Sequence, residues 1–281
     1  MLYGVKYVAK YLLGLDIADR SMAVYPDDTF ITSYPRSGNT WTRFLIANLI
    51  HAQEPVTFAN IESVIPDATA LSNQAMKRVS RPRMVKTHEY FDPRYRKVIY
   101  LVRDPRDVAV SLYHFRRKNG YLEDSYPLES YVRERFIPGD MDVSWGEHVG
   151  SWLGARRNDP RLLLVRYEDL QQSTFDQVLR IAHFLGIEAA SDRVRTAIER
   201  SDLDRMRRLE REEHEKWITT KGRRKDVPFI GAGKSGKWGE TLPKAAAALI
   251  ESQWYDLMRS LGYEPGAQPA SRTEGLAPAG S

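Results

Sequence analysis

The chain has 281 residues, 42% of them apolar, which is enough to bury the core of one large α/β domain or two small ones. Its net charge of +5 suits a polyanionic small ligand, but the Arg and Lys residues are dispersed among acids, which argues against a nucleic-acid partner. There is no cysteine, so disulfides, thiolate nucleophiles and Cys-ligated metals are excluded, and a reducing compartment is compatible.

Residues 1–15 place Leu2, Val5, Val8, Leu12 and Leu15 on one helical face, with Lys6 and Lys10 elsewhere. Two readings stand: a helix that caps the domain, or an anchor at a membrane surface. No apolar run reaches the length of a membrane span, and the N-terminal stretch has no signal-peptide core. The expected location is therefore cytoplasmic, with peripheral membrane contact through this face left open.

The run 29–33 reads as a short buried strand, and from Trp41 apolar residues recur at Phe44, Leu45 and Leu49, the spacing of one helix face. Between them lies Tyr34-Pro35-Arg36-Ser37-Gly38-Asn39-Thr40. A strand, a tight loop and a helix start aim free backbone N–H groups and the positive end of a helix dipole at one spot, which suits a phosphate. Ser37 and Thr40 add hydroxyls, Gly38 admits close backbone approach, and Arg36 adds a permanent charge. The Walker pattern is absent and no Lys follows Gly38, which disfavours a nucleoside triphosphatase.

The polar, Pro-broken stretch 53–83 predicts loops with short helices, and 83–86 a second strand ending at Thr87-His88. Lys97–Val102 reads as a third strand. Asp104-Pro105-Arg106-Asp107 then forms a helix start with an N-cap Asp, a Pro in the first turn and an acid favouring the dipole. A fourth strand at 162–167 precedes a helix capped near Ser173 and stopped by Gly186, and one long helix is predicted over 243–261. The tail 265–281, rich in Pro, Ala, Gly and Ser, is expected to be disordered. This alternation predicts an α/β fold with a central parallel sheet flanked by helices. Without an internal repeat or linker, one domain is expected over 25–264, with 1–24 as a helical extension.

Arg103 falls at the C-terminal end of the third strand, where open α/β sheets bind ligands. Ser111, two turns into the next helix, can face the same crevice, and together they offer a grip for a second phosphate. Read alone, Arg103 could equally pair with Asp104 or Asp107.

The two segments together resemble the sulfotransferase family. Residues 34–41 look like its 5′-phosphosulfate loop, and Tyr100-Leu101-Val102-Arg103-Asp104-Pro105-Arg106-Asp107-Val108-Ala109-Val110-Ser111 looks like its 3′-phosphate motif. The resemblance spans about residues 29–240. It implies sulfuryl transfer from 3′-phosphoadenosine 5′-phosphosulfate (PAPS) to a hydroxyl or amine, without metal, on a three-layer fold related to the P-loop nucleotide kinases. By that resemblance, Arg36, Ser37, Gly38, Asn39 and Thr40 would hold the 5′-phosphate and sulfuryl oxygens. Trp41 would stack on the adenine, although a core position on its helix fits it as well. Arg103 and Ser111 would hold the 3′-phosphate, and Tyr167 would lie near the adenine. Ser201, in Ser201-Asp202-Leu203-Asp204-Arg205-Met206, would help to frame the base.

Lys86-Thr87-His88 matches the family's Lys-Thr-His, in which the His is the general base. An alcohol attacking sulfur must lose its proton, and an imidazole is well suited to take it. His88 follows a strand end on the ligand side, whereas His51, His114, His148, His183 and His214 lie within or beside helical patterns and read as structural. Lys86 would neutralise charge near the transferred group.

Two departures stand out. Many relatives carry Lys where this chain has Arg36, whose pKa assigns it electrostatic stabilisation and not proton donation. The segment Gly231-Ala232-Gly233-Lys234-Ser235-Gly236-Lys237-Trp238-Gly239 resembles the family's C-terminal 3′-phosphate clamp, but Gly231 and Ala232 replace its Arg-Lys pair and Lys237 its Asp. Gly233, Lys234 and the loop's N–H groups could still hold an anion, or Arg223, Arg224 and Lys225 could supply the charge. The stretch 205–225 reads as a solvated helix and loop, or as a lid over the acceptor. The alternatives to a sulfotransferase are a nucleotide kinase-like phosphotransferase and an inactive nucleotide-binding module. The acceptor expected is a small-molecule, lipid or glycan hydroxyl.

Overall fold

The computed structural model describes residue 13 and residues 15–221, 229–231 and 233–266. The helix expected over 1–15, the residues Arg223, Arg224, Lys225 and Ala232, and the tail from 267 onward lie outside the described residues.

Four strands form one parallel sheet: β1 (Thr29–Ser33), β2 (Met84–Thr87), β3 (Lys97–Val102) and β4 (Leu162–Arg166), in the order β2-β1-β3-β4. Among the described residues the α-helices, in chain order, are α1 (Asn39–Ile50), α2 (Ile61–Val64), α3 (Asn73–Lys77), α4 (Pro105–Lys118), α5 (Leu128–Tyr131), α6 (Trp145–Arg156), α7 (Tyr167–Gln172), α8 (Thr174–Leu185), α9 (Ser191–Arg200), α10 (Leu203–Glu213), α11 (Trp238–Thr241), α12 (Lys244–Gln253) and α13 (Tyr255–Ser260).

The near-continuous apolar run of β3 follows from burial on both faces. Val98, Tyr100 and Val102 point into one core with Phe30, Val85 and Val108. Ile99 and Leu101 point into the other with Ile31, Phe44 and Val165. The strand period of two thus divides one sequence run between two helical layers.

The start of α4 is as read from the sequence. Asp104 accepts from the Arg106 N–H at 2.9 Å, and Pro105 opens the helix. The single helix predicted over 243–261 is instead two helices. The chain breaks at Trp254 (φ −126°, ψ 30°), whose indole packs at 5.2 Å from the Trp145 ring and 5.5 Å from that of Phe136. A Cβ on Gly146 would overlap this indole, so the close approach depends on glycine. Burying a large aromatic ring outweighs the one or two helical hydrogen bonds lost at the break.

Candidate active site

The sheet order places β1 between β2 and β3, so the chain leaves β1 to one side and returns to the other. The crevice beyond the C-terminal ends of β1 and β3 is the switch point at which open α/β sheets bind ligands. A cavity of about 950 Å³ occupies it. Arg36, Gly38, Asn39, Thr40, Trp41, Lys86, His88, Arg103, Ser111, Tyr167, Gly233 and Lys234 all line this one space.

The loop after β1 is built to face an anion. Arg36 (φ 69°) and Gly38 (φ 91°) both take left-handed conformations, which turns successive N–H groups inward. Gly38 is also the N-cap of α1, and a Cβ there would enter the Tyr167 ring. The first intrahelical bond runs from the Thr42 N–H to the Gly38 carbonyl, so the N–H groups of Asn39, Thr40 and Trp41 have no acceptor within the helix. The Ser37 hydroxyl is fully buried and has no hydrogen-bond partner among the described residues. Such an orphaned donor beside free N–H groups fits a phosphate or sulfuryl oxygen.

Arg36 crosses this loop. Its Nε donates to Ser111 Oγ at 3.1 Å, and its guanidinium packs beside the edge-to-face pair of Phe115 and Phe229, at 5.2 and 5.3 Å from their centroids. Burial and the neighbouring Arg103 charge lower its pKa to about 10, so it remains a cation at neutral pH. Arg103 stacks 4.6 Å above Tyr167 and donates to the Arg36 and Lys234 carbonyls at 3.3 and 3.0 Å. Of the two carboxylates open to Arg103 in the sequence, Asp104 pairs with Arg106 at 2.7 Å, and Asp107 forms a looser ion pair with Arg103 at 3.8 Å. Asp107 also accepts from the N–H groups of Gly236 and Trp238 at 2.7 and 3.1 Å, fastening the C-terminal Gly-rich loop to α4. Gln171 holds the same loop by accepting from Ser235 and donating to Gly233.

Not every expected contact faces the cavity. Ser201 is fully buried, accepts from Asn48 Nδ2 at 3.1 Å and does not line the site. Its carbonyl accepts from Trp41 Nε1 at 3.1 Å, and that indole stands edge-on to Tyr167. Ser201 turns away from the cavity because it is the C-cap of α9, which packs against α1. Trp41 itself is half-buried and lines the cavity. The Asn39 side chain turns away from the anion cradle, donating to Ser33 Oγ at 3.1 Å and the Thr87 carbonyl at 3.3 Å.

The opposite wall carries Lys86 and His88. Lys86 Nζ donates to Asp67 at 2.9 and 3.1 Å and to Thr69 Oγ1 at 3.1 Å. Burial alone would raise the Asp67 pKa, but the Lys86 and Arg43 charges hold it at about 2. His88 Nδ1 lies 2.9 Å from the Ser33 carbonyl, which can only accept, so Nδ1 carries the proton and Nε2 keeps its lone pair. Burial and the Lys86 charge lower the His88 pKa to about 3, keeping the ring neutral. Glu89 is raised to about 7 by burial and by its hydrogen bond to Asp19.

The sequence reading missed Asp67, Asp19 and Glu89, which carry no spacing signal. It read His148 as structural, yet that side chain reaches the His88 backbone at the cavity wall. Lys118 also lines the cavity, seven residues beyond Ser111, and that two-turn spacing could have revealed it.

An anion cradle, a second cation at a strand end and a neutral imidazole across one cavity define a nucleotide-dependent group-transfer enzyme. A family model described as "Sulfotransferase domain" matches residues 26–262. The chain is 27% identical over 266 residues to human (Homo sapiens) sulfotransferase 2B1, covering 90% of this chain and 72% of the relative. It is 29% identical over 252 residues to sulfotransferase 1E1 of Cavia porcellus, covering 83% and 84%. The fold is shared with retinol dehydratase in complex with androsterone and inactive cofactor PAP, at a TM-score of 0.68 and 23% identity over 89% of this chain and 86% of that one. Mouse sulfotransferase SULT7A1 complexed with PAP also has a TM-score of 0.68, at 24% identity over 85% and 86%. The chain belongs to the sulfotransferase family. It is a PAPS-dependent transferase on the α/β fold that it shares with these structures, and sulfuryl transfer is favoured over phosphoryl transfer.

Proposed function

We propose that His88 is the general base of sulfuryl transfer, that Arg36 stabilises charge on the leaving phosphate, and that Lys86 stabilises the transferred group. The observation that carries this reading is the His88 tautomer. The Ser33 carbonyl fixes the proton on Nδ1, which leaves Nε2 as the acceptor in a cavity shared with the anion cradle.

When bound, PAPS would supply the sulfuryl group and a good leaving group. The N–H groups of Asn39, Thr40 and Trp41 and the Ser37 hydroxyl would hold its anionic oxygens, and Arg103 with Ser111 and Lys234 would hold the 3′-phosphate. His88 Nε2 would take the proton of the acceptor hydroxyl, and Arg36 would stabilise the charge left on the departing phosphate. The Asp67 carboxylate holds Lys86 in place. Anions of a cofactor bound near the ring would raise the His88 pKa and make it a stronger base than in the free protein.

The acceptor is a small molecule bearing a hydroxyl. Ile17, Tyr90 and Ile218 are exposed and line the cavity, giving its mouth an apolar rim suited to a lipid-like body. Among the described residues no helix is long and apolar enough to cross a membrane. A cytoplasmic location, with residues 1–15 touching a lipid surface, belongs to the same proposal and is read by co-sedimentation with vesicles.

The test is transfer of labelled sulfate from PAPS into an extract of the source organism, with the labelled product identified. Transfer by the wild type and none by His88→Ala, which still binds adenosine 3′,5′-bisphosphate, is the expected outcome. Equal transfer by both would remove His88 from the base role.

A further inference from the structure

His148 lies in α6, 60 residues from His88 in sequence, and is 1% exposed. Its Nε2 is 3.0 Å from the His88 carbonyl and its Nδ1 is 2.8 Å from the Tyr100 hydroxyl. A carbonyl only accepts, so Nε2 carries the proton and donates to His88, and Nδ1 accepts from Tyr100. Tyr100 on β3 also stacks on this imidazole, with centroids 5.9 Å apart and planes 25° from parallel. Burial lowers the His148 pKa to about 4 and raises that of Tyr100 well above its ordinary value. Neither group changes protonation near neutrality, so the direction of both hydrogen bonds is constant.

The other contacts of this turn show what the bond contributes. Asn39 Nδ2 donates to the Thr87 carbonyl at 3.3 Å. Thr32 Oγ1 and Trp152 Nε1 both donate to the Glu89 carbonyl at 3.1 Å. His148 fills the place between them, at the carbonyl of the base itself. It also meets the loop after β1, because the Tyr34 ring stands edge-on to it at 5.6 Å. One buried imidazole thus joins the backbone of the base to the first residue of the anion cradle.

We propose that His148, oriented by Tyr100, is a positioning residue for His88: it pins the His88 carbonyl so that Nδ1 stays on Ser33 and Nε2 stays aimed at the acceptor. This inference rests on the assignment of His88 as the base. The His88 carbonyl fixes the His148 proton on Nε2, and the Tyr100 hydroxyl, donating to Nδ1, holds the ring in that orientation. The effect falls on the chemical step, since His148 is separate from the N–H groups of the anion cradle.

Three variants in the full chain test it: His148→Leu, which removes both hydrogen bonds; His148→Gln, whose amide can restore the donor to the His88 carbonyl; and Tyr100→Phe. Turnover is read as labelled sulfate passed from PAPS to the acceptor fraction of the organism's extract. Binding is read by calorimetry with adenosine 3′,5′-bisphosphate. His148→Leu is expected to lower kcat by about 30- to 100-fold, the scale of a misplaced reacting group, with bisphosphate affinity within about threefold. His148→Gln should recover most of that loss, and Tyr100→Phe should cost about fivefold, the scale of one hydrogen bond.

Imidazole ¹⁵N spectra give a readout independent of the acceptor. The His88 signal, assigned by its loss in His88→Gln, should show one Nδ1–H tautomer in the wild type and in His148→Gln, and averaged shifts in His148→Leu. In a His88→Ala background, His148→Leu should cause no further loss of turnover. Normal kcat in His148→Leu with His88→Ala inactive overturns the positioning role alone. Normal turnover in His88→Ala overturns the base assignment instead. Should the leucine variant not fold, unchanged kcat in Tyr100→Phe together with an unrescued loss in His148→Gln overturns the proposal.

Discussion

The two walls of the cavity are built by different means. The cradle wall is local: nine consecutive residues, 33–41, supply the strand end, the left-handed turn, the orphaned hydroxyl and the first helical N–H groups. The base wall is assembled from distant segments. Lys86 meets Asp67 across 19 positions, His88 meets Ser33 across 55, and His148 meets His88 across 60. A backbone cradle needs only the right turn chemistry, whereas buried charged and polar side chains each need a partner brought by folding.

Substitution on the two walls should therefore fail in different ways. His88→Ala should lower turnover by about 10³-fold, within the range for a lost general base, while bisphosphate affinity holds within about threefold. A matching loss of affinity in calorimetry would merge the two walls into one unit. Lys86→Met removes the ion-pair partner of the buried Asp67 carboxylate and should destabilise the fold by about 3–5 kcal/mol in denaturant titration. Lys86→Met with Asp67→Asn should regain much of that stability without regaining turnover, which separates the structural from the electrostatic role of the pair.

On the cradle wall, Arg36→Ala should reduce turnover by about 100-fold, the scale of losing a preorganised charge donor. A loss below a few-fold would leave Arg36 as a packing residue beside Phe115 and Phe229. Gly38→Ala combines a left-handed backbone with a Cβ that meets Tyr167, and should weaken bisphosphate binding by about tenfold or more for a strain of about 1–2 kcal/mol. Unchanged affinity in that variant would show that the loop relaxes freely.

The smallest expected effect is one of pH. A protonated His88 cannot act as a base, so kcat/KM is lost as pH falls through the pKa of the free enzyme, which burial and Lys86 lower to about 3. Glu89 titrates at about 7 beside it, so the profile is best taken in Glu89→Gln. There kcat/KM should stay level from pH 8 to about 5, well below the ordinary imidazole pKa. An acid limb near 6.5 would mean that His88 is solvated and less constrained than its contact with Ser33 implies.

Much of the fold was legible in local pattern. All four strands, the short helices before β2 and the Asp104–Pro105 helix start follow from apolar runs, breakers and caps. The long helix over 243–261 was misread because a uniform apolar period hides the position at which Trp254 turns inward to meet Trp145 and Phe136. Ser201 was placed at the cofactor by its motif, but its hydroxyl is taken by Asn48. His148 was read as structural, because a His between Trp145 and Trp152 on one helix carries no sign of what lies across from it.

The sequence by itself determined the anion cradle, the second cation at the end of β3 and the chemistry that a His after β2 could perform. These depend on residues adjacent in the chain and on the turn each element must make. Only the tertiary structure decided which way His88 faces, what neutralises Lys86, which carboxylate pairs with Arg103, and what holds the His88 backbone. Those answers depend on side chains that meet only after the sheet is assembled, when the cost of burying each polar group selects its partner.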